Sequence, residues 1–229
     1  MGAIEYAVED GVAFVELNRP EVLNALDGAA KRELGRIWVE VAADESVRCV
    51  VLAGRGRAFC AGSDVAEIER NGPVDTATVL GALPNVVREV PQPIVAAVHG
   101  HTLGMGLNLA LHCDIRIAHA ESQLGFPEVR RGMISAAGAV ALPAVVGLGR
   151  GLEMLLLGAP ITGTDAAAIG LVTRLADDPR ADAATLARQI AQFDPRAVAA
   201  ILRLARLGSA PPTERLIAEL EEARNSLGA

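Results

Sequence analysis

The pattern of apolar and polar positions at the start of the chain predicts a hairpin followed by a helix. Two apolar stretches, Ile4 to Val8 and Val12 to Leu17, flank the dipeptide Asp10-Gly11. An Asp-Gly dipeptide in that setting is typical of a tight turn between antiparallel strands. Asp27 is a suitable N-cap for a helix over residues 28–43, because apolar residues then recur with a helical period at Leu34, Ile37, Trp38 and Val41.

Two further apolar stretches each run into a glycine-rich loop. Val47 to Leu52 leads into Gly54 to Gly62, and Ile94 to Val98 leads into Gly100 to Gly106. Continuously apolar strands are typical of parallel sheets that are buried on both faces. We expect a helix after each loop, the second over about Met105 to His112. The recurrence of strand, glycine loop and helix predicts an α/β fold.

The pattern is helical from about Ala139 onward, interrupted by a last short strand over Leu171 to Leu175. Asp182 is interpreted as the N-cap of the amphipathic helices that follow. We therefore predict a boundary near residue 176, with a core over 1–176 and a helical region over 177–229.

Composition narrows the class of protein. The chain has 229 residues, 51% of them hydrophobic but only 3% aromatic, which excludes disorder as the main state. Its net charge of −7 supplies no field that attracts nucleic acid or an anionic membrane surface. Three cysteines without a C-x-x-C pair are typical of a reducing compartment, and the N-terminus carries no signal-peptide pattern, so we expect a cytoplasmic protein.

The common sequence motifs for dinucleotide, phosphate and metal binding are absent. The loop after Leu52 lacks the third glycine of a dinucleotide-binding fingerprint, and no phosphate-binding P-loop occurs. The four histidines lack partners at metal-ligand spacing, so no metal site is expected. The two glycine loops could still present free N–H groups at helix starts, where an oxyanion is stabilised. On pattern alone, ordinary tight turns explain them equally well.

Longer motifs resemble a known family. Residues 47–64 read VRCVVLAGRGRAFCAGSD and residues 94–118 read IVAAVHGHTLGMGLNLALHCDIRIA, and both are similar to the crotonase family, also called the enoyl-CoA hydratase/isomerase family. Further matching motifs are Asn18-Arg19-Pro20, Leu23-Asn24-Ala25-Leu26, Phe126-Pro127-Glu128 and Ile169-Gly170-Leu171-Val172. The resemblance extends to about residue 205.

The resemblance implies a fold and a ligand. The expected fold is a crotonase-like spiral of ββα units with a C-terminal helical region for trimerisation and for covering the ligand, which is shortened in a chain ending at Ala229. The expected ligand is an acyl-CoA thioester, and the expected assembly is a homotrimer or a dimer of trimers. No cofactor is implied beyond the coenzyme A of the substrate, and no metal, nucleic acid or membrane partner.

The resemblance also implies the site residues. The thioester oxygen would lie in an oxyanion hole formed by the backbone N–H groups of Ala61 and Met105. The substrate-binding residues would be Ala61, Gly62, Ser63, Asp64, Met105 and Asn108. Arg55 and Arg57 are candidates to meet the coenzyme A phosphates, although loop arginines are more often solvated.

The acid/base residues distinguish the possible reactions. Hydratases of the family resemble one another in using two glutamates, and this chain has Glu128 at the second position but Asn108 at the first. An amide neither takes nor gives a proton at neutral pH, so the pattern favours an enoyl-CoA isomerase of fatty acid metabolism with Glu128 as its one acid/base. Other branches of the family use an aspartate eight residues after this glutamate. They are disfavoured, because this chain has Ala136 at that position. Two alternatives stay open, a hydratase (a lyase) that uses one glutamate and a catalytically weak partner protein in a biosynthetic pathway.

Overall fold

A computed structural model describes residues 2–207 of the chain. The strands are β1 (Ile4–Glu9), β2 (Val12–Leu17), β3 (Cys49–Gly54), β4 (Ile94–Val98), β5 (His101–Leu103), β6 (Ile115–Ala118), β7 (Gln123–Gly125), β8 (Ile161–Thr162) and β9 (Arg174–Leu175). The helices are α1 (Gly28–Ala43), α2 (Val65–Asn71), α3 (Thr76–Gly81), α4 (Met105–Leu111), α5 (Ala136–Val146), α6 (Leu148–Leu157), α7 (Gly163–Ala168), α8 (Pro179–Ala191) and α9 (Pro195–Leu207). Two short 3-10 helices lie at Pro20–Val22 and Pro127–Arg131.

The strands form two sheets. The larger has six strands in the order β1-β2-β3-β4-β6-β9, and only its first pair, β1 with β2, is antiparallel. The smaller sheet has the order β5-β7-β8. Its strands β5 and β7 come directly after β4 and β6 of the larger sheet in the chain. The α/β class predicted from the sequence is confirmed.

The central strands of the larger sheet, β3 and β4, are buried on both faces, because their side chains alternate between two cores. Val50 and Leu52 of β3 face the main core, whereas Cys49 and Val51 face a second one. Helix α8 covers the second core. This double burial explains why β3 and β4 are apolar without interruption.

The sequence predicts the early elements well and the later ones less well. The hairpin and α1 are confirmed, and the side chain of Asp27 accepts a hydrogen bond from Ala30 N as the N-cap of α1. The predicted cap at Asp182 is wrong, since α8 begins at Pro179 and is capped by Asp178. The predicted strand over Leu171 to Leu175 shrinks to β9, because the turn after α7 occupies its first residues.

The region after residue 176 is partly described. Helix α8 packs on β3 and β4 through buried alanines, so it is continuous with the core. The boundary near residue 176 stays a prediction, and residues 208–229 of the predicted C-terminal region lie outside the described part of the chain. No helix within residues 2–207 has the length and apolar character needed to cross a membrane.

Candidate active site

The first glycine loop, residues 54–64, is held in place by residues 23–26. Asn24 is 1% exposed, and its Nδ2 donates to Ala58 O over 2.8 Å. Its Oδ1 accepts from the N–H of Arg19 over 2.8 Å. Leu26 N donates to Gly62 O over 2.8 Å. The Leu-Asn-Ala-Leu motif therefore fixes the backbone path of the loop.

The hydrogen bonds with residues 23–26 determine which N–H group of the loop is free to act as an oxyanion donor. The N–H of Ala61 donates to Leu23 O over 2.9 Å, so the prediction that Ala61 supplies a free donor is wrong. The N–H of Ser63, two residues later, has no acceptor within residues 2–207. The free donor of this loop is therefore at Ser63, because the neighbouring segment uses the amides on either side of the Gly62-Ser63 pair.

The second glycine loop lies directly beside the first. Cys60 and Thr102 form an isolated parallel bridge, in which Leu103 N donates to Cys60 O over 3.0 Å. A Cβ atom on Gly62 would lie 3.8 Å from the N atom of Met105. The two loops therefore meet, as the resemblance implies.

Met105 begins α4 and carries the free donor of the second loop. As the first residue of the helix, its N–H has no intrahelical acceptor, and no other acceptor for it occurs in the described chain. Its side chain is 5% exposed and belongs to the main core. The N–H groups of Ser63 and Met105 thus lie on touching loops, the second at the positive end of a helix.

Glu128 reaches the same place from β7. The N–H of Gly104 donates to Gly125 O over 2.9 Å, which ties β7 to the start of α4. The chain then turns through the 3-10 helix that contains Glu128. A Cβ atom on Gly104 would lie 2.7 Å from Glu128 Oε1, so the carboxyl group rests on the glycine that precedes Met105.

The carboxyl group of Glu128 is shielded from solvent. Burial raises the pKa of Glu128, while its own backbone N–H and the nearby Ser135 hydroxyl act in the opposite direction. Its Oε2 is buried and has no hydrogen-bond partner in the described residues. Neither Arg130 nor Arg131 lies within ion-pair distance of Glu128, so no neighbouring arginine of the 3-10 helix neutralises its charge.

Asn108 lies one helical turn after Gly104 and faces Ser135. Its Nδ2 donates to Ser135 Oγ over 3.0 Å, and the two residues are 6% and 8% exposed. Its Oδ1 is buried and accepts no hydrogen bond from residues 2–207. Sequence analysis missed Ser135, whose position before α5 indicates only a helix N-cap.

Two other predicted binding residues have structural contacts. The side chain of Asp64 caps α2 by accepting from Glu67 N over 3.1 Å, and it accepts from Arg19 Nη2 over 3.2 Å. Arg55 pairs with Glu5 over 2.6 Å and with Glu16 over 2.7 Å, on the N-terminal hairpin. Both side chains therefore stabilise the first loop in this structure.

The arrangement suits proton transfer beside a developing negative charge. Two free backbone N–H groups on adjoining loops can stabilise an oxyanion, and removing one such donor typically costs about 100- to 1000-fold in rate. Glu128 supplies an ionisable group beside them, whereas Asn108 and Ser135 are neutral. Among the described residues, no group of three or more potential metal ligands occurs.

Comparison with known proteins gives the family. A family model described as enoyl-CoA hydratase/isomerase matches residues 7–221. A (E)-benzylidenesuccinyl-CoA hydratase from Thauera aromatica is 35% identical, over 90% of this chain and 83% of the relative.

Solved structures agree with this assignment. An enoyl-CoA hydratase/isomerase from Mycobacterium paratuberculosis superposes with a TM-score of 0.84 at 29% identity, over 99% of this chain and 91% of that one. An enoyl-CoA hydratase from Bacillus anthracis also gives 0.84, at 28% identity, over 98% of this chain and 90% of that one. The fold is therefore that of the crotonases, and the chain belongs to the enoyl-CoA hydratase/isomerase family.

Proposed function

We propose that this protein is an enoyl-CoA isomerase, which moves a β,γ double bond of an acyl-CoA thioester to the α,β position. The observation that carries the proposal is the half-buried carboxyl group of Glu128, packed against Gly104 beside the free N–H of Met105. Asn108 occupies the position where a second carboxylate would be needed for two-carboxylate hydration. One carboxyl group is sufficient to shuttle one proton.

In the proposed reaction, the thioester oxygen accepts hydrogen bonds from the N–H groups of Ser63 and Met105. The Glu128 carboxylate removes a proton from the α-carbon, and the electron pair moves onto the thioester oxygen to give a dienolate. The carboxylic acid then returns the same proton to the γ-carbon, which restores the carbonyl group and leaves a conjugated product. The proposed reaction needs no cofactor apart from the coenzyme A that is part of the substrate.

The raised pKa of Glu128 supports this role. A general base is most effective when its pKa approaches the working pH, because it must both take up and release the proton. Burial raises the pKa of this carboxyl group in the required direction. The unpartnered Oε2 also leaves one oxygen available to the substrate.

Hydration is the second candidate function, and a separate observation supports it. Asn108 Oδ1 and Glu128 Oε2 are both buried acceptors without donors in the described chain, so the two could hold a water molecule between them. The relative from Thauera aromatica is named a hydratase. In this reaction Asn108 would orient the water and Glu128 alone would activate it.

Two substrates separate the two reactions. We would incubate the purified protein with but-3-enoyl-CoA and, separately, with crotonyl-CoA, following the conjugated-enoyl absorbance and the formation of 3-hydroxybutyryl-CoA. The proposal predicts conjugation of the first substrate at least about tenfold faster than hydration of the second. Faster hydration would establish the second candidate, and no reaction with either would favour a catalytically weak partner protein.

Replacing Asn108 by glutamate tests the same distinction from the enzyme side. Asn108→Glu restores a second carboxyl group, so we expect hydration of crotonyl-CoA to rise by about 100-fold, within the usual range for one acid/base group. Asn108→Gln is the matched control, because it lengthens the side chain by the same amount without adding an acid. Equal hydration by the two variants would show that the missing carboxylate does not limit this reaction.

We also propose that the protein assembles as a homotrimer or a dimer of trimers. One face of α6 carries exposed leucines four residues apart, Leu148, Leu152 and Leu156, of which the last is 68% exposed. An apolar stripe of this kind on a folded protein usually marks an interaction surface. It lies close to the 3-10 helix of Glu128, since Arg130 donates to Leu157 O over 3.0 Å.

A further inference from the structure

Lysine occurs once in this chain, and its side chain is buried. Of the 21 lysines and arginines, only Lys31 is a lysine. It lies on α1 and is 1% exposed, so it has one of the largest fully buried side chains among residues 2–207. Lysine is almost never fully buried in proteins unless its ammonium group is paired with a negative charge. The burial of Lys31 therefore calls for a partner.

The ammonium group of Lys31 has no partner in the described part of the chain. No carboxylate there lies within ion-pair distance of its Nζ, and Nζ donates no hydrogen bond. The acidic residues at this end of α1 are bound elsewhere. Asp27 pairs with Arg19 over 3.0 Å, and Glu67 accepts from the N–H of Gly28 over 2.7 Å. A buried positive charge is unfavourable in this setting unless a ligand supplies the negative charge that balances it.

Lys31 lies on the face of α1 that packs against α2 and α3. Residues three, four and seven positions apart share a helix face, so Gly28 and Trp38 lie on the same face as Lys31. A Cβ atom on Gly28 would lie 3.2 Å from Val74 Cγ1, in the loop between α2 and α3. Trp38 Nε1 donates to Ala82 O over 2.7 Å, just after α3. The lysine side chain therefore enters the layer between α1 and the chain that follows the first glycine loop.

Within this layer, Lys31 lies toward the first glycine loop. Side chains on a helix lean toward its N-terminus, and the N-terminus of α1 adjoins that loop through the bridge between Leu26 and Ser63. Burial lowers the pKa of Lys31. The groups that act in the opposite direction belong to α2, to the first glycine loop and to the N-cap of α1, and they are Glu67, Cys60, Asp27 and Asp64. The lysine thus lies beside the loop that carries the free N–H of Ser63.

We propose that Lys31 determines substrate specificity by binding a carboxylate on the acyl chain. The class of substrate that it favours is an acyl-CoA whose acyl group carries a free carboxylate a few bonds away from the thioester. That carboxylate supplies the negative charge that Lys31 lacks. The inference rests on the proposed function, because it takes the thioester oxygen to be held by the N–H groups of Ser63 and Met105.

A carboxylate on the acyl group suits this position better than the phosphates of coenzyme A. Phosphate groups carry more charge and need several donors, whereas Lys31 is a single ammonium group that is 1% exposed. A carboxylate is flat and carries one negative charge, which one ammonium group balances. Its attachment to the acyl group also brings it to the loop that holds the thioester.

The first test compares the affinities of saturated acyl-CoA ligands, which cannot be isomerised. Glutaryl-CoA and adipyl-CoA carry the carboxylate at two chain lengths, whereas 5-methylhexanoyl-CoA and 6-methylheptanoyl-CoA carry an isopropyl group of the same shape in its place. Isothermal titration calorimetry measures each dissociation constant. We expect at least one carboxylate ligand to bind at least about tenfold more tightly than its isopropyl counterpart. Equal or weaker binding of the carboxylate ligand at both lengths would overturn the proposal.

Lys31→Met tests whether Lys31 causes this preference. Methionine keeps an unbranched side chain and removes the charge, so the preference should fall below about twofold, while the isopropyl ligands should bind as they do to wild type. The melting temperature should be no lower than that of wild type, because an unpaired buried charge is removed. Arg32→Met is the matched control, since it removes an equal charge at the next, exposed position of α1 and should keep the preference.

Three results with these variants would contradict the proposal. The first is a preference that survives in Lys31→Met, and the second is a preference lost equally in both variants. The third is a similar loss of affinity for all four ligands in Lys31→Met, which would assign Lys31 to coenzyme A binding or to folding.

The second test observes Lys31 directly. Because the chain has one lysine, tag-free protein labelled with ¹³C-lysine gives a single Cε signal in NMR spectra. We expect this signal to shift when the preferred carboxylate ligand binds and to shift much less with its isopropyl counterpart. Equal responses to the two ligands would overturn the proposal. Since neither test needs turnover, a protein that prefers the carboxylate ligand but does not isomerise but-3-enoyl-CoA would disprove only the proposed function.

Discussion

The carboxyl group of Glu128 lies against the α-carbon of Gly104, so closely that a Cβ atom there would stand 2.7 Å from Oε1. Gly104 adopts φ 53° and ψ −118°, a backbone conformation that other residues rarely adopt. It also precedes Met105, whose N–H is free. One glycine therefore sets both the approach of the carboxyl group and the direction of the backbone donor.

The first prediction follows from this contact. Gly104→Ala should lower the rate of isomerisation by at least about 100-fold, because it displaces Glu128 and redirects the N–H of Met105. It should also destabilise the fold by about 1–3 kcal/mol through backbone strain. Steady-state kinetics and urea unfolding measure the two effects. Gly149→Ala, in α6 with no atom near its added methyl group, should leave both unchanged or raise stability slightly.

The second prediction concerns the oxyanion donors. Replacing the amide of Ser63 by an ester, through incorporation of the corresponding α-hydroxy acid, removes its N–H and keeps the side chain. We expect kcat to fall by about 100- to 1000-fold. The same change at Ala61 should cost about 1 kcal/mol of stability, since its bond to Leu23 is lost, with kcat reduced less than tenfold. A larger loss of kcat at Ala61 than at Ser63 would restore the original assignment.

The third prediction is a pH dependence of stability. Burial raises the pKa of Glu128 in the folded state, so the folded protein binds a proton more tightly than the unfolded chain does. This contribution to stability is fully present below the unfolded pKa and is lost as pH rises through the folded pKa. Glu128→Gln should therefore be more stable than wild type by about 0.5–2 kcal/mol at pH 7. This difference in stability between the variant and wild type should shrink toward pH 4, and thermal unfolding between pH 4 and pH 7 measures it. A difference that stays constant over this range would contradict the prediction.

The fourth prediction concerns assembly through α6. Leu152→Glu places a charge in the middle of the exposed leucine stripe and should weaken self-association by at least about tenfold, or about 1.4 kcal/mol. Sedimentation velocity over a range of concentrations measures this. Val39→Glu is the control, because Val39 is also a helical residue and is 47% exposed on α1. Unchanged assembly in Leu152→Glu would place the interface elsewhere.

Local signals in the sequence were sufficient for several elements. The Asp10-Gly11 turn predicts the hairpin and Asp27 predicts the start of α1, since both act within a few residues. The start of α8 could have been found in the same way, because Pro179 is suited to a first helical position and Asp178 precedes it. Asp182 lies in the first turn of α8, where an acidic side chain is also common, so its residue type alone does not separate it from the cap at Asp178.

The site depends on contacts that the sequence does not encode locally. Whether Ala61 or Ser63 has the free N–H is decided by the pairing of residues 23–26 with residues 60–64, which lie far apart in the chain. The sequence around Ser135 indicates only an N-cap, whereas its hydrogen bond with Asn108 joins residues 27 positions apart and required the structure. Family resemblance located Glu128 and the two loops, but the hydrogen bonds required the structure.

The most direct test of the central claim compares Glu128→Gln with wild type in the conversion of but-3-enoyl-CoA to its conjugated isomer. Glutamine preserves the shape of the side chain but cannot shuttle a proton, so we predict a loss of at least about 1000-fold. Glu121→Gln, at an exposed position on the turn before β7, should retain full activity. If the conversion rate of Glu128→Gln lies within about tenfold of the wild-type rate, the claim that Glu128 is the acid/base of this protein is contradicted.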